Sequence, residues 1–185
     1  MQSYYYAGNH HMGNMLLALE GPDKCAKTEI GAELSRQLCI PCFKNTGEWS
    51  TDLKDPTYFK NLLVYGGTFL VDFIHQTKPS AIFDRYYPSE WVYSRFFNRE
   101  TNEDIIRKID KKFADAGGKF IICRRKSYAG IQDDLHAYID ETALKGLDQL
   151  YEEFTKWTEC QVLTVWVDDE NLEREMLEIR EWLKE

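Results

Sequence analysis

The chain of 185 residues is 43% hydrophobic and 29% charged, with 31 acidic against 23 basic side chains and a formal net charge of −8. That length fits one domain able to bury a core, and no run of eighteen apolar residues offers a membrane span. Basic residues fall in short groups, 107–112 and 124–126; this argues against long DNA or RNA, which calls for a broad basic surface, and is compatible with a small phosphorylated ligand in a local positive pocket.

Residues 1–14, MQSYYYAGNHHMGN, lack a basic region followed by an apolar one. They read as a flexible N-terminal tail or an appended remnant and not as a secretion signal, which makes a cytoplasmic location the expectation (host cytoplasm for a viral source). Residues 15–19 read as the first buried strand and 27–38 as the helix after it, with 40–44 a second strand before the turn signal Asn45-Thr46-Gly47. Residues 55–76 have a helical pattern that offers Leu62, Leu63, Phe69, Leu70 and Phe73 to the core, with Gly66-Gly67 marking a bend or a close approach. A strand at 79–83 leads into an aromatic helical segment ending at Phe97. A helix over 102–116 stops at Gly117-Gly118. Residues 119–123 form a strand, 133–157 one long helix or two bent near Gly146, 161–167 the last strand and 170–183 a closing helix.

Five strands separated by helices predict an α/β fold of three layers, a five-stranded, mainly parallel sheet covered by helices. Nothing divides 15–185 into more than one domain. The five cysteines, Cys25, Cys39, Cys42, Cys123 and Cys160, read as reduced core residues; the CxxC spacing of Cys39 and Cys42 has no second pair to complete a zinc site.

The segment that carries chemistry is Gly21-Pro22-Asp23-Lys24-Cys25-Ala26-Lys27-Thr28, placed between strand and helix. It matches the phosphate-loop pattern GxxxxGK[ST] except at Ala26, where glycine is usual. In such a loop the backbone N–H groups surround a phosphate, the lysine reaches the terminal phosphates and the hydroxyl binds magnesium. Gly21, Lys24, Cys25, Ala26, Lys27 and Thr28 are therefore the candidate ATP-binding residues, and a left-handed Ala26 would cost about 1 kcal/mol. Asp84 and Arg85 follow the 79–83 strand at the end where such sheets place ligands. Asp84 can order a magnesium-bound water or a sugar hydroxyl, and Arg85 can bind phosphate through its forked donors.

Together these stretches resemble the thymidylate kinase-like branch of the P-loop nucleotide kinases, related to the deoxynucleoside kinases. The family's EGxDxxGKT is matched by Glu20, Gly21, Asp23, Lys27 and Thr28. Its DRYxxSxxAY is matched by Asp84, Arg85, Tyr86, Ser89 and Tyr93, with Val92 in place of alanine. The resemblance implies a three-layer P-loop kinase fold, ATP and Mg2+ as cofactors, a small deoxynucleotide acceptor and a homodimer. It implies transfer of the γ-phosphoryl group of ATP to a deoxynucleoside monophosphate, dTMP or a related pyrimidine nucleotide. Lys27, Asp23, Arg85, Arg124 and Arg125 would form the catalytic set, the last two on a short lid over 124–134. Thr28 and Asp84 would hold the metal. Asp23, Asp84, Arg85, Tyr93, Tyr65 and Phe69 would face the acceptor. Departures from the family pattern near Gly67–Leu70 and Lys44-Asn45 keep open a deoxynucleoside kinase with Glu48 or Asp23 as base, a kinase for a modified pyrimidine nucleotide or polynucleotide, and a non-catalytic nucleotide-binding protein.

Overall fold

A computed structural model describes residues 14–44, 56–131 and 139–184, with side chains on the first long helix described from Gly67 onward. Five strands, β1 (Leu16–Glu20), β2 (Cys42–Lys44), β3 (Ala81–Asp84), β4 (Gly118–Arg124) and β5 (Gln161–Trp166), form one sheet in the order β2-β3-β1-β4-β5. Every pairing is parallel. Six helices join them: α1 (Lys27–Leu38), α2 (Pro56–Thr77), α3 (Tyr87–Phe96), α4 (Glu103–Asp115), α5 (Glu141–Thr155) and α6 (Leu172–Trp182).

The three inner strands, β3, β1 and β4, are short runs buried on both faces, while the edge strands β2 and β5 are partly exposed, and strand periodicity divides their inward side chains between two cores. Leu16, Ala18, Phe83, Phe120 and Ile122 point to the side packed by Val71 and Ile74 of α2, Ile109 and Phe113 of α4, and Phe154 of α5. Leu17, Leu19, Ile82, Ile121 and Val165 point to the other, where Ile30 and Leu34 of α1 and Met176 and Ile179 of α6 cover them. Three helix starts are fixed by local side chains, Asn102 accepting from the Ile105 N–H at 3.1 Å, Asp140 from the Ala143 N–H at 2.8 Å and Asn171 from the Arg174 N–H at 3.1 Å.

Three expectations are corrected here. Phe69 and Phe73 are 76% and 48% exposed, because Leu70, Val71 and Ile74 occupy the 3–4-spaced face of α2 that meets the sheet. Gly146 does not bend α5, which runs unbroken across it; a Cβ there would come within 3.1 Å of the Phe96 ring, so the glycine serves the close approach of α3. Cys39 is exposed as the left-handed cap of α1, while Cys25, Cys123 and Cys160 are buried, and all five cysteines are free thiols. Among the described residues no cluster of metal-ligating side chains occurs, and no helix is long and apolar enough to cross a membrane. The turn at Asn45, Glu48, and the lid residues 132–134 lie outside the described residues.

Candidate active site

β1 is the central strand, so the loop after it is flanked by the carboxyl ends of β3 and β4, the position where open parallel sheets receive ligands. The loop leaves the sheet at Gly21 with φ +133°, and a Cβ there would stand 2.1 Å from the carbonyl oxygen of Cys123 on β4. Only glycine combines that backbone with that contact. Lys24 and Ala26 are both left-handed, at φ 59° and 52°. Ala26 therefore occupies the conformation that the usual glycine favours, at a cost of about 1 kcal/mol, and keeps its N–H. It also caps α1 without a side-chain hydrogen bond, leaving the first turn of the helix short of a partner, a feature of anion-receiving helix ends.

Lys27 opens α1 with its side chain buried, and its ammonium donates to the Pro22 carbonyl across the loop. Burial, then repulsion from Arg85, pushes its pKa down from 10.5. One residue on, the Thr28 hydroxyl donates to Asp84 Oδ2 at 2.8 Å. This joins α1 to the end of β3 and sets two hard oxygen ligands side by side at the loop, a donor pair suited to Mg2+.

Arg85 takes a left-handed backbone, φ 70°, while its N–H still bonds the Leu19 carbonyl at 3.0 Å. A residue held this way is strained by about 1–3 kcal/mol and persists where its surroundings fix it. Here they do: Nη1 donates to the Gly21 carbonyl at 3.1 Å, to Ser89 Oγ at 3.2 Å and to the Tyr151 hydroxyl at 3.0 Å. Nη2 donates to Asp23 Oδ1. The other Asp23 oxygen accepts from the Tyr93 hydroxyl at 2.7 Å, and the guanidinium lies 5.4 Å from the Tyr93 ring centre. Desolvation works to raise the pKa of Asp23, but the charges of Arg85 and Lys27 and the Tyr93 bond outweigh it and hold the carboxyl below 3.8.

Beneath this pair lies Glu20, wholly buried. It accepts from the Tyr86 N–H at 2.6 Å, Ser89 Oγ at 2.7 Å and the Tyr151 hydroxyl at 3.0 Å. Burial raises its pKa above 4.5 despite the nearby Arg85 charge and these donors. On the β4 side, Arg125 Nε donates to the Lys24 carbonyl at 2.9 Å and its Nη2 lies 3.1 Å from Glu170. Arg124 instead turns to α5, with bonds of 2.9 and 2.6 Å to Asp148 and 3.1 Å to Glu152. Cys25 is buried with its sulfur 3.7 Å from the Tyr128 hydroxyl.

The fold thus gathers Asp23, Lys24, Cys25, Lys27, Thr28, Asp84, Arg85, Tyr93 and Arg125 about one loop. Arg124 is held on α5, Phe69 is exposed on α2 outside the bonded cluster, and the Tyr65 side chain lies outside the described residues. Sequence reading assigned no role to Glu20, Ser89, Tyr151 or Asp148. Glu20 carried a signal, an acid closing an apolar strand, and Ser89 stood in the second motif; Tyr151 and Asp148 sit on a helix whose periodicity distinguishes only inside from outside.

No protein-family model matches the chain, and no curated protein matches it in sequence. Solved structures do. The YorR protein of Bacillus subtilis, in complex with phosphorylated GDP, is 22% identical with a TM-score of 0.69, over 92% of this chain and 96% of that one. The deoxyadenosine kinase of M. mycoides with bound dATP is 19% identical with a TM-score of 0.63, over 92% and 100%. The thymidylate kinase of Ehrlichia chaffeensis is 16% identical with a TM-score of 0.62, over 92% and 99%. With its phosphate loop at the carboxyl end of the central strand of a five-stranded parallel sheet, the chain has the three-layer α/β fold of the P-loop nucleotide kinases.

Proposed function

We propose that the protein transfers the γ-phosphoryl group of ATP to a deoxynucleoside monophosphate, dTMP or a related pyrimidine nucleotide, yielding the diphosphate. The observation that carries this reading is the convergence of two pairs on one loop: Thr28 with Asp84 2.8 Å apart, and Arg85 with Asp23. The first pair suits a magnesium-bound triphosphate and the second an acceptor. The structural neighbours named for kinase activity act on deoxyadenosine and thymidylate, which supports a small nucleoside or nucleotide acceptor.

Phosphoryl transfer asks a protein mainly for positioning and charge stabilisation. In this reading Lys27 leaves the Pro22 carbonyl for the terminal phosphates, and the loop N–H groups receive the β-phosphate. Thr28 and Asp84 would hold Mg2+, and the ion would supply charge neutralisation for the phosphates. Arg125, already against the Lys24 carbonyl, acts from the lid side, and Arg124 joins it only by leaving Asp148 and Glu152. Arg85 faces the acceptor phosphate, with Asp23 and Tyr93 beside the sugar.

Asp23 favours a monophosphate over a nucleoside acceptor. A nucleoside hydroxyl needs a base whose pKa lies near the working pH, whereas Asp23 is held low by Arg85 and Lys27 with both oxygens engaged. A phosphate acceptor is already anionic and needs none. Arg85→Ala tests the assignment: the acceptor KM rises about tenfold or more while the ATP KM stays within about twofold, the loss expected for one charge-assisted partner. Equal losses for both substrates in a folded protein would place Arg85 elsewhere in the mechanism.

A further inference from the structure

Among the described residues two ionisable side chains of opposite type, the buried Glu20 and the part-buried Arg85, are joined by two shared hydroxyls. Ser89 is supplied by the motif that also contains Arg85. Tyr151 comes from α5, 66 residues beyond Arg85 and 131 beyond Glu20 in sequence. Its hydroxyl donates to Glu20 at 3.0 Å and accepts from Arg85 Nη1 at 3.0 Å, and the residue is fully buried.

We propose that Tyr151 is a positioning residue for phosphoryl transfer, relaying the fixed carboxylate of Glu20 to the guanidinium of Arg85 and so setting the orientation in which Arg85 meets the acceptor phosphate. The inference rests on the acceptor-side role of Arg85 given above.

The geometry distinguishes this role from ordinary packing. The Tyr151 ring belongs to the core beside Leu147 and Phe154, and a phenylalanine fills the same space. The hydroxyl adds nothing to that core and would be costly to bury unpaired; it is satisfied only by the two site charges and Ser89. Glu20 is itself anchored by the Tyr86 N–H at 2.6 Å, so the relay starts from a backbone-fixed point at the root of the phosphate loop. The left-handed backbone of Arg85 aims its side chain under that loop, leaving the orientation of the guanidinium to its partners. Two of those, Asp23 and the Gly21 carbonyl, belong to the loop that must itself adapt to nucleotide. Tyr151 belongs to a helix packed against α3 and the core, and supplies a reference independent of the loop.

The test is Tyr151→Phe, read in two ways. Side-chain 15N NMR of the ligand-free protein, with the Arg85 signals assigned through Arg85→Lys, reports rotation of the guanidinium without any need for turnover. We expect distinct, slowly exchanging Nη signals in the wild type and merged, fast-rotating signals in the variant. In turnover, kcat/KM for the acceptor falls about 10–100-fold, the scale attached to a misplacement of about 1 Å, while the ATP KM stays within about twofold. Unchanged Arg85 signals overturn the inference, as does a freed guanidinium with unchanged acceptor kinetics. Glu20→Gln, which keeps Tyr151 but removes its anionic acceptor, moves both readouts in the same direction by less; it carries the test where Tyr151→Phe does not fold. A wild-type protein that turns over no acceptor would instead defeat the kinase reading, while the NMR result still decides whether Tyr151 holds Arg85.

Discussion

Glu20 and Asp23 stand three positions apart in the chain, and the fold pushes their carboxyls in opposite directions. Asp23 is depressed, so the stability it contributes is present above 3.8 and lost as pH falls through its folded value. Glu20 is raised, so its contribution is fully present below 4.5 and lost as pH rises through its folded value. Urea unfolding between about pH 3 and 7 should therefore show Asp23→Asn flattening the acid-side fall in stability and Glu20→Gln removing a decline that begins above 4.5. The same slope in both variants would contradict the opposed environments. Ala26 gives a second residue-scale prediction. At φ 52° its methyl costs about 1 kcal/mol, part of which Ala26→Gly returns to the more flexible unfolded chain. The net gain should raise Tm by about 1–2 °C; a lower Tm would mean that the methyl packs usefully on its neighbours. Sequence showed that this position departs from the usual glycine, but only the backbone angle shows why the departure is tolerable.

At the level of elements, the turn out of β1 is tied to β4 through Gly21 and Cys123. Gly21→Ala would need both a strained φ and a retreat of the β4 backbone, which neither strand can make inside a paired sheet. It should lower unfolding stability by about 3 kcal/mol or more, read as a fall in the urea midpoint; an unchanged midpoint would show that the loop detaches from β4 at little cost. Apolar runs announced β1, β3 and β4 because strands buried on both faces contain little else, and Gly117 and Lys27 marked a helix stop and a start that the fold respects. The outward side of α2 was misread because Phe69 and Phe73 are as apolar as the Val71 and Ile74 that are buried. Composition alone does not set the phase of a helix that is hydrophobic on several sides. The hold of Asp148 on Arg124 and of Tyr151 on Arg85 was not legible either, since contacts across such distances in sequence leave no spacing to read.

Across the whole molecule, strand order is what turns scattered motifs into a site. Periodicity marks strands but does not order them; only with β1 between β3 and β4 do Asp84 and Arg85 arrive on one side of the loop after β1 and Arg125 on the other. The net charge of −8 makes the surface as a whole unsuited to a polyanion, and the proposed small-anion site rests on Lys27, Arg85 and Arg125 gathered about the loop. In the proposed function this site phosphorylates a phosphate and not a hydroxyl. The most direct measurement is incubation with Mg-ATP and a panel of deoxynucleosides and their monophosphates, with each product identified by mass. The expected products are ADP together with a deoxynucleoside diphosphate, formed from a pyrimidine monophosphate in preference to the rest. Formation of monophosphates from nucleosides, with the monophosphates left untouched, would contradict it.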